Sequence, residues 1–163
     1  MTKQTGFTLM ELVLVMVIIG VLAAAAGPRF FSTDVYRERF YAEDMLAALR
    51  FSKRIAESSN CIVRFRALAN GFDLTQDANC FNGGASNYSV AVLRPSDSGN
   101  PYLSNEKPLT LIQSATTNTV FFQVDGGVLN SANNQVNVTY NLTGSEVIRT
   151  LNVDGGSGYV RSQ

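Results

Sequence analysis

One carboxylate, Glu11, sits inside a run of twenty residues from Phe7 to Ala26 that carries no other charge. At the centre of a bilayer such a group costs roughly 2.5–3.5 kcal/mol, and less near the end of a span, so it calls for a partner and a function. An amine freed by cleavage between Gly6 and Phe7 would serve. It would lie about one helical turn from Glu11 in the same chain, or opposite it in a neighbouring one. Gly6 is small enough for a peptidase to accept. The other reactive pair is Cys61 and Cys80, too few for a structural zinc site or an iron–sulfur cluster. Histidine is absent, and with it the usual general base near neutral pH and the commonest metal ligand. The chemistry expected is processing and pairing, with no catalytic turnover, cofactor or metal.

These residues must be placed by the elements around them. At ~1.5 Å per residue, twenty residues span ~30 Å, the thickness of a hydrocarbon core. A secretory signal peptide is the alternative, with Ala23–Ala26 imitating its cleavage site. Its core would be shorter, ~7–15 residues, and would not carry an acid. Lys3 ahead of the run fits a cytoplasmic N-terminus. Beyond Pro28 the pattern changes: Ala42, Met45, Leu46, Leu49, Ser52 and Ala56 form one helical stripe, with Glu38, Asp44, Arg50, Lys53 and their charged neighbours mostly off it. The reading is one helix from Phe7 to about Ser59, ~80 Å long, kinked at Gly27-Pro28 and ended by Ser58-Ser59-Asn60.

From Cys61 onward the pattern is strand and turn. Short β-prone runs at 62–68, 71–75, 88–93, 109–113, 119–124, 135–142 and 147–153 alternate with Gly/Asn/Asp clusters. Val136, Val138, Tyr140 and Leu142 alternate with polar residues, as a half-buried strand does. None of the Gly-rich turns has the lysine and helix context of a phosphate loop. Side-chain charge balances, with 13 basic and 13 acidic residues, so no global basic field attracts nucleic acid. The cluster Arg50, Lys53, Arg54, Arg64 and Arg66 reads as a solvated face or subunit contact, because no stacking platform accompanies it. The fold class is α+β, a long N-terminal helix packed on an antiparallel β domain. Segments fall at 1–6, 7–28, 29–60 and 61–163.

Gly6-Phe7-Thr8-Leu9-Met10-Glu11-Leu12, the apolar stretch and Pro28 resemble the class III signal of type IV prepilins and type II pseudopilins. The resemblance implies that a prepilin peptidase cuts after Gly6 and methylates the amine of Phe7, and that Glu11 sets subunit register in the filament. It implies a single-pass inner-membrane protein with its N-terminus in the cytoplasm and residues 61–163 in the periplasm. Such a protein later passes into a filament. Its partners would be membrane lipid, the assembly platform and other pilin subunits, with nucleic acid not expected. In that compartment disulfides persist, so Cys61 and Cys80 are read as a disulfide tying the helix end to the loop after the first hairpin. A redox role would need an activated thiolate, and no partner for one is in view.

The stretch from Leu46 to Ala56 and the run Val120–Gly127 resemble minor subunits of the GspH/FimT group. The cysteine pair, Gly27–Phe30 and Arg39–Asp44 resemble minor pilins of mannose-sensitive haemagglutinin (MSHA) pili. These likenesses imply a minor type IV pilin that primes or caps a filament. A type II secretion pseudopilin and a DNA-binding minor pilin are the alternatives. The segment 155–163 has Arg161 as its one charged residue, which does not favour DNA binding.

Overall fold

The computed structural model describes residues 8–30, 33–80 and 86–163. It divides into two compact units, Met1–Thr33 and Asp34–Gln163. The helix expected as one element is described in two stretches, α1 (Leu9–Phe30) and α2 (Thr33–Ser59). Residues 31 and 32 lie outside the described residues. Thr8 caps α1. Its Oγ1 accepts a hydrogen bond from the Glu11 backbone N–H at 3.3 Å, the first half of a capping box in which Glu11 occupies the acidic position.

In the second unit the six stripe residues of α2 are all buried, together with Tyr41 and Ala48. Ser52 tolerates burial because its hydroxyl bonds the Ala48 carbonyl one turn back, at 2.8 Å. Glu38, expected to lie off the stripe, is buried as well. It sits four residues before Ala42, so it continues the stripe towards the start of α2. Asn60 ends the helix in the left-handed region, at φ 54°. The Cys61 N–H then reaches the Ala56 carbonyl at 3.2 Å, the hydrogen bond of a Schellman cap.

The β region forms two main sheets. The first has the order β3-β2-β1-β8-β9, with β6 also paired to β2. Its strands are β1 (Val63–Leu68), β2 (Gly71–Gln76), β3 (Val90–Ala91), β6 (Leu103–Ser104), β8 (Thr119–Phe122) and β9 (Val128–Asn130). The second has the order β12-β11-β10-β7, from β7 (Ile112–Ala115), β10 (Val138–Thr143), β11 (Ile148–Val153) and β12 (Val160–Ser162). A hairpin of β4 (Leu93–Arg94) and β5 (Asp97–Pro101) stands apart. Every ladder is antiparallel.

Val138, Tyr140 and Leu142 face inward from β10 as their alternation demands. Four strands lie outside the β-prone runs. Asp97–Pro101 is read from sequence as a turn cluster, and β6, β9 and β12 are too short to show a period. Each is recruited by a neighbouring ladder, whose hydrogen bonds reward even two or three residues.

The core joins α2 to both sheets. Phe65 stacks on Phe72 within the first sheet at 5.6 Å, and meets Tyr140 of the second edge-on at 5.7 Å. Tyr41 brings α2 to this cluster, with its ring 5.8 Å from Phe72 and its hydroxyl donating to Gln113 Oε1 at 2.6 Å. The Tyr140 hydroxyl is buried with no hydrogen-bond partner among the described residues, and burial holds its pKa far above the ordinary value. Removing an unpaired buried hydroxyl removes a desolvation penalty of about 1 kcal/mol. Tyr140→Phe is therefore expected to leave stability unchanged or raise it by up to about 1 kcal/mol, read from the urea midpoint. A loss beyond about 1 kcal/mol would show that the hydroxyl is bonded in solution.

Candidate functional site

Gly6 and Phe7 lie outside the described residues, and with them the geometry of cleavage. Glu11 stands in the first turn of α1, exposed. From Thr8 to Ala24 every residue is exposed, including Leu9, Leu12, Met16, Ile19 and Leu22. A helix apolar on all sides is stable only when something covers it. α1 continues through Gly27 and Pro28 to Phe30, so proline does not end it.

Among the described residues no helix is long and apolar enough to cross a membrane. The twenty-residue span expected from sequence includes Phe7, which lies outside the described residues.

In the second unit, Cys61 and Cys80 are joined in a disulfide, with Cα atoms 5.0 Å apart. The bond ties the cap of α2 to the segment following β2. Beside it Asp77 is buried, and its Oδ1 accepts the N–H groups of Asn79 at 3.0 Å and Asn87 at 2.8 Å. Cutting the disulfide by Cys61→Ser with Cys80→Ser frees a loop of 19 residues. It is expected to cost about 3 kcal/mol on the chain-entropy model, seen as a lower urea midpoint and faster proteolysis near residue 80. An unchanged midpoint would mean that the β1–β2 ladder and the hydrogen bonds of Asp77 already hold the loop.

Two anchors are not apparent from the sequence. Glu38 takes the Thr110 hydroxyl at 2.6 Å and the Ser145 backbone N–H at 3.2 Å on Oε1, while the Ser145 hydroxyl bridges both carboxylate oxygens. Burial pushes its pKa up, but these donors and the Glu146 backbone outweigh burial and hold it below the ordinary carboxyl value. The second anchor is Asp44. It grips the Arg94 guanidinium through two bonds of 3.0 Å, and Arg94 lies 4.5 Å over the Tyr102 ring. Burial foremost, then the Asp44 charge, raises the Tyr102 hydroxyl to about 12. The one signal for Glu38 is its phase with the stripe. For Asp44–Arg94, fifty residues apart, there is none.

Asp77 shares the behaviour of Glu38: burial pushes its pKa up, and the N–H groups of Asn79 and Asn87 with the Ser86 hydroxyl bring it below the ordinary value. Both carboxyls bind protons more weakly folded than unfolded, so their stabilisation is complete above the ordinary carboxyl range. It is lost as pH falls through the lowered values. The urea midpoint is expected to stay flat from neutral pH to about 5 and to drop below about pH 4. Glu38→Gln should flatten part of that drop.

Four of the five members of the basic cluster take separate partners. Arg50 donates to the Val160 carbonyl at 3.3 Å, Lys53 pairs with Glu57 at 3.4 Å, Arg64 lies 5.0 Å over the Tyr88 ring, and Arg66 is bound to Asp73.

Residues 1–27 match the prokaryotic N-terminal methylation motif. No curated protein matches the chain. Among solved structures, the fold is similar to that of the type IV minor pilin FimU of Pseudomonas aeruginosa in two crystal forms. One has a TM-score of 0.56 at 16% identity, over 80% of this chain and 91% of that one. The other has a TM-score of 0.52 at 16% identity, over 77% and 91%. At that identity the likeness is one of fold. The chain thus carries a prokaryotic N-terminal methylation motif on a pilin fold, similar to that of a type IV minor pilin.

Proposed function

We propose that this chain is a minor type IV pilin, a structural subunit with no enzymatic role. Within that class we place it with the MSHA-type minor pilins, most like MshC, which prime or cap a filament. The observation that carries the reading is the methylation motif over residues 1–27 leading into a helix whose apolar side chains are all exposed from Leu9 to Leu22. Such a helix needs a covering of lipid before assembly and of neighbouring helices afterwards. The subunit is inserted once in the inner membrane, cut after Gly6 and methylated on Phe7. Glu11 then pairs with a free amine to set register, and Gly27-Pro28 loosens the helix. The segments 1–6, 7–28, 29–60 and 61–163 serve as leader, filament core, amphipathic support and periplasmic domain. The low identity to FimU leaves a type II secretion pseudopilin as the second reading, which the neighbouring genes separate from the first.

The test is co-expression with a prepilin peptidase, followed by intact-mass and N-terminal analysis of the membrane fraction. The expected product begins at methylated Phe7, and Gly6→Leu leaves the leader uncut. A product beginning after Ala24 or Ala26 would overturn the proposal in favour of a secretory signal peptide.

A further inference from the structure

The large apolar side chains that the second unit leaves uncovered are gathered at one end. Tyr36, Phe40, Leu109, Ile112 and Ile148 are each more than two-thirds exposed. Among the other large apolar side chains described in this unit, only Tyr159 is more than half exposed. All five stand within three residues of Glu38 or of its bonded partners, Thr110 and Ser145. The buried carboxylate therefore collects them around the N-terminal end of α2. Phe40 and Leu109 line one groove. Ile112, Thr143 and Ile148 are directly opposed on β7, β10 and β11. Leu142 faces the core, so this row faces out. Exposed apolar residues scattered over a surface are ordinary, but a concentration at one end calls for a covering.

We propose that this end of the unit docks on the surface of a lipid bilayer, with the five side chains dipped into the boundary between headgroups and acyl chains. The inference rests on reading α1 as the membrane-resident helix. Tyr36 follows Phe30, the last residue of α1, by six residues, so even an extended chain keeps it within ~21 Å of that end. The apolar face thus stays beside the bilayer for as long as α1 is in it. Its form suits lipid better than a protein partner. The five side chains come from three separate segments of the chain, so they make no single strip for a partner helix. A fluid interface covers such groups without shape complementarity, and flanking charged side chains stretch out to water. Those charges offset each other: Asp34, Glu106 and Glu146 stand against Arg37, Arg39 and Lys107, and Arg149 is paired with Glu43 at 3.2 Å. Docking is therefore apolar, and independent of lipid charge and of salt.

The protein contains no tryptophan, so one introduced indole reports alone. The experiment places Phe40→Trp, Leu109→Trp or Ile148→Trp in the full-length protein, in nanodiscs holding one copy each, with lipid brominated near the headgroup. Leu14→Trp in α1 and Tyr159→Trp, at the far end of the β11 ladder, are the references. All are exposed positions, and unchanged thermal melting will confirm that the variants are folded. Shallow bromine is expected to lower emission about twofold at the three face positions, because interfacial side chains lie ~5–10 Å deep. The effect should be equal in zwitterionic and anionic lipid, and Tyr159→Trp should be spared. Adding Leu109→Ser and Ile148→Ser to Phe40→Trp should restore its emission, since one ring anchors weakly. The proposal is overturned, with α1 still in the bilayer, if deep bromine quenches Leu14→Trp while shallow bromine spares the face positions. It is overturned equally if quenching survives the two serines, which shows proximity by tethering alone. Quenching that appears only with several copies per disc shows a subunit contact and overturns it as well. An unquenched Leu14→Trp removes the reading of α1 itself, and this inference with it.

Discussion

Glu38→Ala is expected to destabilise the globular unit by about 2–3 kcal/mol, read from urea denaturation at neutral pH. The carboxylate is fully buried, and among the described residues no cation is bonded to it. It is held by hydroxyl and backbone donors from two separate loops. Deletion removes the shared acceptor of the Thr110 hydroxyl and the Ser145 N–H and hydroxyl. Both donors sit on exposed residues and can turn to water, so the cost is that of losing bonds to a charged group, about 2–3 kcal/mol. Gly144 makes the same point from the other side, because a Cβ there would land on Glu38 Oε2. A flexible side chain could swing away from such a clash, but this one is fixed through both oxygens. Gly144→Ala alone should therefore cost about 2–3 kcal/mol. In the double variant the new methyl enters the space the carboxylate vacated, so the combined loss should fall short of the sum by at least about 1 kcal/mol. Additivity within about 0.5 kcal/mol would refute the idea that the two residues compete for one space.

Phe65→Ala should cost more, about 3–5 kcal/mol. Its ring touches Phe72 in its own sheet and Tyr140 in the facing one. Truncation opens a cavity where the two sheets meet, and neither sheet can close it without breaking ladder register. Phe65→Leu retains most of the volume and should lose clearly less. If Phe65→Ala lost under about 1.5 kcal/mol, the sheets would be able to collapse and the core would be softer than the packing implies. Neither substitution touches the methylation motif, so under the proposed function both variants should still be cleaved after Gly6.

Much of this protein is legible in its amino-acid sequence. The pattern Gly6-Phe7 with Glu11 is local, and the methylation motif spans the same residues. The α2 stripe is readable because helical periodicity is a property of neighbouring residues, and all six members are buried. The cap at Asn60 and the alternation along β10 belong to the same class of signal.

Local sequence therefore specifies whatever rests on contacts within about a dozen residues: the methylation motif, both helical stretches, the strong strands and the turns between them. Long-range packing settles the rest. It turns a polar run at Asp97–Pro101 into a strand and buries Glu38 as an anchor 107 residues from Ser145. It also brings the Asn137 side chain to the Gly155 N–H, 18 residues away. These outcomes depend on which distant backbone supplies the hydrogen bonds, and no local period records that choice.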